Sequence, residues 1–242
     1  MHVQPTYLEF GKKALLIIWE DVIDEATNDK VLQMDSFISE NFRGEILETV
    51  PAYSSLAVYL KEGVPVSSFI ERIKSEDLTV DSRVMKTKSV VTIPVCYAEK
   101  YALDLEHVAK FHNISTSEVI KIHTQPVYKV YFLGFLPGFP YLGGLDTRLS
   151  TPRKETPRSN IEGGSVAIGG DQTGIYTSDS PGGWNVIGKS PLQFFSSEST
   201  SLSLLQPGDY VKFRAVSRDR YMQILDKVSK GSYKTEREVY CD

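Results

Sequence analysis

Within the thirteen residues Leu133–Leu145 fall four glycines, two prolines and three aromatic rings, among them Phe135, Pro137, Gly138, Phe139 and Tyr141. No helical or strand period fits them. Glycine admits positive φ and close backbone approach while proline fixes φ, so the segment reads as a stiff loop. Two uses suit such a loop: packing its own rings at a barrel end, or walling a binding groove. Next comes Thr151-Pro152-Arg153-Lys154-Glu155-Thr156-Pro157-Arg158, with Arg153 and Arg158 five residues apart on a proline-stiffened backbone. Guanidinium forks held this way suit carboxylate or phosphate. Solvated surface arginines fit the spacing equally well. Gln172, Thr173 and Tyr176 add neutral donors and acceptors beside glycines, as a polar pocket floor would. Ser180-Pro181-Gly182-Gly183-Trp184 supplies a second stiff turn ending on a large ring.

Two tempting motifs in this stretch fail on context. Gly164-Ser165 lacks the final glycine of a nucleophile elbow, since Ala167 stands there, and no helical pattern follows. Gly183-Trp184-Asn185-Val186-Ile187-Gly188-Lys189-Ser190 matches the phosphate-loop formula letter for letter. A working loop of that kind opens a helix, whereas these residues read as a strand. His2, His107, His112 and His123 form no metal-ligand spacing, and His107 and His112 are five apart rather than four. His123 closes a short helix, where an imidazole either complements the helix dipole or transfers protons. Cys96 and Cys241 lie outside any CxxC spacing; Cys96, in an apolar run, reads as a buried inert thiol. No metal site is expected.

The elements that must position these residues divide the chain in two. Ahead of residue 92, apolar spacing predicts the order β-α-β-β-α-β. Its strands are expected at Ala14–Trp19, Glu45–Val50, Ser55–Leu60 and Val90–Val95, with helices over Asp24–Phe42 and Val66–Ile73. This predicts an α+β, ferredoxin-like domain over 1–92. From 93 to 242, two short helices (Asp104–His112 and Ser115–His123) precede Val127–Leu133 and a series of short strands between Gly, Pro and Asp turns. That spacing predicts a barrel or sandwich. The charged tail carries a helix over Tyr221–Val228. A net charge of -4 with mixed signs leaves no basic stripe for nucleic acid. The longest apolar run near the start is too short to span a membrane, and no signal-peptide pattern precedes it. The chain therefore reads as soluble and cytoplasmic.

Taken in order, these segments resemble the allophanate hydrolase subunit 1 family. The resemblance is carried by Phe132–Asp146, Thr151-Pro152-Arg153 with Thr156-Pro157-Arg158, Gln172–Tyr176, and Ser180–Trp184 with Ile187-Gly188. Val50–Leu56 and Ile93–Tyr97 also match. It implies that the second domain is a cyclophilin-like β-barrel, completed by a barrel-like subunit 2 partner. The family includes one component of the bacterial ATP-dependent 5-oxoprolinase, which acts with subunit 2 and a third subunit to open 5-oxo-L-proline to L-glutamate. It also includes a sporulation kinase inhibitor that binds a sensor histidine kinase, and related modules serve urea and allophanate pathways. The first of these activities is the leading expectation, with ATP as co-substrate and the chain inactive alone.

Under that reading Arg153 or Arg158 holds a carboxylate or phosphate, His123 and Arg158 are the catalytic candidates, and Gln172, Thr173 and Tyr176 orient the amide. Phe135, Pro137, Gly138, Phe139 and Tyr141 line the groove. Ser180, Pro181, Gly182, Gly183 and Trp184 shape it and the subunit contact. Two positions depart from the family pattern: Thr177 stands where proline is usual, and Lys189-Ser190-Pro191 where Arg-Thr-Pro is common.

Overall fold

The helix expected from Val31, Met34, Phe37 and Ile38 forms as α1 (Glu25–Asn41) in the computed structural model of the chain, which describes residues 4–75, 89–198 and 202–239. Asp24 caps it, accepting from the Thr27 amide at 3.0 Å. Asn28 lies inside the helix and donates to the carbonyls of Ala52 and Tyr53, which ties α1 to a hairpin turn. The hairpin joins β3 (Ile46–Pro51) to β4 (Ser55–Leu60). With β1 (Thr6–Glu9) and β2 (Ala14–Ile18) they form an antiparallel sheet of order β1-β2-β4-β3. Leu15, Ile17, Leu56, Val58 and Leu60 pack with α1 and with Phe69 and Ile73 of α2 (Val66–Ser75). Complete burial of Phe69 contributes about 2–3 kcal/mol.

The sixth element expected in this domain, Val90–Val95, pairs elsewhere. It forms β5 (Ser89–Val95) in the second of two compact units, which divide between Lys86 and Thr87 rather than at 92/93. Val91, Ile93 and Val95 are fully buried there, and a strand this apolar belongs where both faces are covered. The sheet edge beside β2 is taken by β1, an element that sequence periodicity did not reveal. His2, Cys241 and the residues just before β5 lie outside the described residues.

In the second unit α3 (Leu105–Phe111) and α4 (Thr116–Thr124) form close to the expected places. Ser115 caps α4 by accepting from the Glu118 amide. The main strands that follow are β6 (Tyr128–Leu133), β7 (Pro140–Gly143), β9 (Ser165–Gly169), β10 (Gln172–Ile175) and β12 (Asn185–Lys189). Then come β13 (Tyr210–Ala215), the tail helix α5 (Arg218–Ser229) and β14 (Arg237–Val239). The sheet order is β12-β9-β10-β7-β6-β13-β5-β14, antiparallel except for β13 with β5. Its β12 end folds back to β5, because Cys96 and Lys189 exchange backbone hydrogen bonds of 2.8 and 3.0 Å that join the end of β5 to β12. A separate ribbon pairs β8 (Arg158–Ile161) with β11 (Ser180–Gly182). Phe195 makes an isolated bridge to Ser203. Among the described residues no helix is long and apolar enough to cross a membrane.

Gly164 marks where the turn into β9 tolerates no side chain. Its φ is +84°, and a Cβ would lie 2.5 Å from the Ser190 carbonyl oxygen. Gly164→Ala is expected to destabilise the chain by roughly 2–4 kcal/mol. Gly44→Ala, in open space, is expected to stay within about 0.5 kcal/mol of wild type. Urea unfolding checks both, and equal midpoints for the two variants would refute the steric account.

Candidate functional site

Side chains on β9, β10 and β12 alternate between two buried surfaces, as the strand period requires. Val166, Ile168, Ile175 and Ile187 face the large core of the second unit. Ala167 and Val186 face the other way, into a smaller cluster with Tyr176, Phe139, Ile161 and Trp184. The sheet therefore separates two groups of residues that sequence reasoning had placed in one pocket.

On the inner side lie His123 and Thr173, both fully buried. The Thr173 hydroxyl donates to the Ala167 carbonyl at 3.1 Å, so its oxygen is left to accept from His123 Nε2 at 2.9 Å. His123 Nδ1 then accepts from the Tyr97 hydroxyl at 2.9 Å. This network assigns a neutral Nε2–H tautomer. The ring stacks on Phe213 at 4.6 Å between centroids, and burial lowers its pKa from the ordinary 6.5 to about 3. Tyr128 closes the same shell by donating to the His123 carbonyl. The expected dipole-capping imidazolium is thus replaced by a neutral core ring. Both nitrogens are committed, and no surface is open to a substrate proton.

On the outer side the aromatic loop closes over the sheet. Phe139 sits edge-on to Tyr176 at 5.5 Å and to Trp184 at 5.7 Å, with Tyr141 at 5.2 Å. Trp184 lies so close to the strand that a Cβ on Gly169 would fall 2.6 Å from the indole. Tyr141 also stacks on Phe132 at 4.4 Å. Phe135 has a φ of 60° and is 62% exposed, its edge toward Phe139 and Tyr176. An aromatic residue in left-handed backbone, presented to solvent, is held there by its surroundings rather than by preference. Pro137 is exposed, and its carbonyl accepts from the Thr177 hydroxyl at 2.8 Å, a bond that the proline usual at 177 could not donate. Gly138 is buried against Phe195. Gln172 is half-buried at the start of β10. Ser180 is buried in β11, Pro181 is exposed, and Gly182 and Gly183 are half-buried beside Trp184.

The charged part of this face centres on Asp104, a residue that sequence reasoning read only as a helix start. Its carboxylate is 4% exposed and makes no capping bond to α3. Arg158 grips it bidentately at 2.7 and 2.8 Å, Lys154 donates at 3.0 Å, and the Val186 amide donates at 2.8 Å. Burial pushes the Asp104 pKa up, but Arg158, Lys154 and the Val186 amide together outweigh it and hold the group below the usual carboxylate range. Arg158, expected to face substrate, is thereby committed. Arg153 differs: it is exposed, its guanidinium lies 5.6 Å from the Trp184 ring, and among the described residues no carboxylate lies against it. Tyr176 links the parts. Burial raises its pKa more than the Trp184 backbone hydrogen bond and the charges of Arg153 and Arg158 lower it.

Lys189, from the phosphate-loop look-alike, lies in β12 and pairs with Glu162. Among the described residues no group of three or more His, Cys, Asp or Glu is placed to hold a metal ion.

The chain is similar to known proteins over most of its length. The family model described as carboxyltransferase domain, subdomain C and D, matches residues 5–205. The B component of 5-oxoprolinase from Bacillus subtilis (strain 168) is 40% identical, covering 88% of this chain and 93% of the relative. Its counterpart from Escherichia coli O157:H7 is 34% identical, covering 84% and 92%. Among solved structures TTHA0988 matches with a TM-score of 0.76 at 32% identity, over 85% of this chain and 40% of that longer one.

The depressed pKa of His123 has a consequence for stability. Between the ordinary 6.5 and about 3 the unfolded chain carries a proton on this ring that the folded chain refuses. Its contribution is therefore complete above about pH 6.5 and is lost as pH falls toward 3, at up to about 1.4 kcal/mol per pH unit. His123→Gln is expected to flatten the stability profile between pH 6.5 and 4.5. Urea titrations across that range test this, and parallel profiles for the two proteins would count against a neutral core imidazole.

Proposed function

Because the chain belongs to the carboxyltransferase C and D family, in its allophanate hydrolase subunit 1 branch, we propose that it serves as the B component of an ATP-dependent 5-oxoprolinase. The observation that carries this reading is near full-length similarity to the B components of 5-oxoprolinases from two distantly related bacteria. In the proposed assembly a subunit 2 partner and a third subunit complete the site, and the chain alone is inactive. The closed sheet of the second unit supports a cyclophilin-like barrel for it. The order β1-β2-β4-β3 supports a ferredoxin-like first unit whose edge strand comes from the N-terminal side.

The chemistry follows from the substrate. A lactam carbonyl is a weak electrophile. Transfer of the ATP γ-phosphoryl to its oxygen releases ADP. Water added at the ring carbon gives an adduct that collapses with C–N cleavage, the amine taking a proton, to a γ-glutamyl phosphate. A second water then displaces phosphate and leaves L-glutamate. This chain's part is recognition of the substrate. Arg153, held over Trp184, takes the substrate carboxylate, and the exposed Phe135 flanks the ring while the buried Tyr176 supports Phe135 from beneath. Arg158 stays on Asp104. The His123 ring keeps a structural role, since a sealed neutral imidazole reaches no reacting atom. The Gly183–Ser190 segment offers no helix N-terminus to phosphates because it runs through β12. ATP is accordingly assigned to the partner subunits.

Reconstitution with subunit 2 and the third subunit tests the reading. ATP hydrolysis is expected to rise when 5-oxo-L-proline is added and to need this chain; absence of that dependence would sink the assignment. Losing one charge-assisted fork costs about 1.5–3 kcal/mol, so Arg153→Ala is expected to raise the KM for 5-oxo-L-proline at least about tenfold. The KM for ATP should be unchanged.

A further inference from the structure

The loop that carries Arg153 is anchored on both sides of that residue. Before it, the Pro152 carbonyl accepts from the buried Asn185 side chain at 2.9 Å, and Thr151 pairs with Gly170 through the backbone. After it, the Lys154 amide donates to the Gly183 carbonyl at 2.7 Å, beside Trp184. The two remaining cations of the segment, Lys154 and Arg158, converge on one buried carboxylate fifty or more residues away in sequence, Asp104. Asp104 is in turn fixed to the strand that follows Trp184, since its backbone amide donates to the Val186 carbonyl at 2.7 Å and its side chain accepts from the Val186 amide.

We infer that Asp104 is a positioning residue for substrate recognition. By drawing Lys154 and Arg158 onto itself it fixes the loop so that Arg153, between the anchors, is left over Trp184 with its fork free for an anionic group. The inference rests on the reading above that Arg153 binds the substrate carboxylate. Charge and geometry both support the division of labour. Three cations lie within six residues against two acids, Asp104 and the segment's own Glu155, so a local positive surplus of one remains, and the cation without a carboxylate is the exposed Arg153. A carboxylate sealed among apolar residues is costly unless fully paired, and here every bond it makes holds this loop or β12, none holding its own helix.

The test uses the reconstituted complex and a double-mutant cycle. Asp104→Asn is expected to raise the KM for 5-oxo-L-proline about tenfold with kcat changed less than about twofold and the KM for ATP unchanged. Because Asp104 acts through Arg153, the double variant Asp104→Asn with Arg153→Ala should be no worse than Arg153→Ala alone. Multiplying effects, or a loss spread equally over kcat and both KM values, would overturn the positioning role. So would a wild-type KM in Asp104→Asn when Arg153→Ala is impaired. An Arg153→Ala variant with a wild-type KM would instead bring down the underlying assignment of Arg153. Should Asp104→Asn fail to fold, Lys154→Met keeps the Arg158 pair and is expected to raise the same KM at least about threefold; no rise would overturn the inference.

Discussion

A sheet covered on both faces must satisfy two packings with one set of strands, and β9, β10 and β12 do this by placing large and small residues on opposite sides. Toward the large core they present Val166, Ile168, Ile175 and Ile187. Toward the outer cluster they present Ala167, Val186 and the bare backbone of Gly169 and Gly174. The small residues are what let Trp184 lie flat over Gly169 and the Phe139 ring tip reach Gly174. Without that thin face the aromatic cluster would stand off, and neither Tyr176 nor Arg153 would have a floor. The positions of Phe139, Tyr176 and Trp184 on the outer side follow from this alternation.

The second determinant is electrostatic. Surface ion pairs contribute little, and pairs such as Lys13–Glu62 or Lys230–Asp226 are of that kind. The Asp104 cluster differs because its acid is buried, its arginine is bidentate, and a backbone amide completes the shell. Such a group stabilises only as a complete set. Its value lies less in net free energy than in the single arrangement it permits for the loops it ties together. His123 solves a related problem in the opposite way. It keeps a polar ring in the interior by giving up its charge and matching each nitrogen to one hydroxyl.

What could be read from the sequence was local. The helix carrying Val31, Met34 and Ile38 and the helix opened by Ser115 both depend on residues a few positions apart. The aromatic loop and both arginines were visible as unusual composition. Their roles were not, because these depend on distant partners. Asp104 lies fifty residues from Lys154 in sequence, Thr173 the same from His123, and nothing in a short window marks either pairing. Val90–Val95 was recognisable as a strand, but strand character carries no information about which sheet will accept it. The edge strands β1 and β14 are short and largely exposed, so they lack the buried alternation that announces a strand.

The pairing of β5 with β13 also sets an order of events during synthesis. Among the described residues, all strands of the first unit lie before residue 61, so its sheet can form while most of the chain is still unmade. The second unit cannot close in that way. Its strand β5 emerges early and must wait for β13, more than a hundred residues later, while the Cys96–Lys189 seam waits for β12. Contacts this remote in sequence form slowly, and the apolar strand Ser89–Val95 stays uncovered in the interval. The second unit therefore completes its sheet only after β13 has left the ribosome.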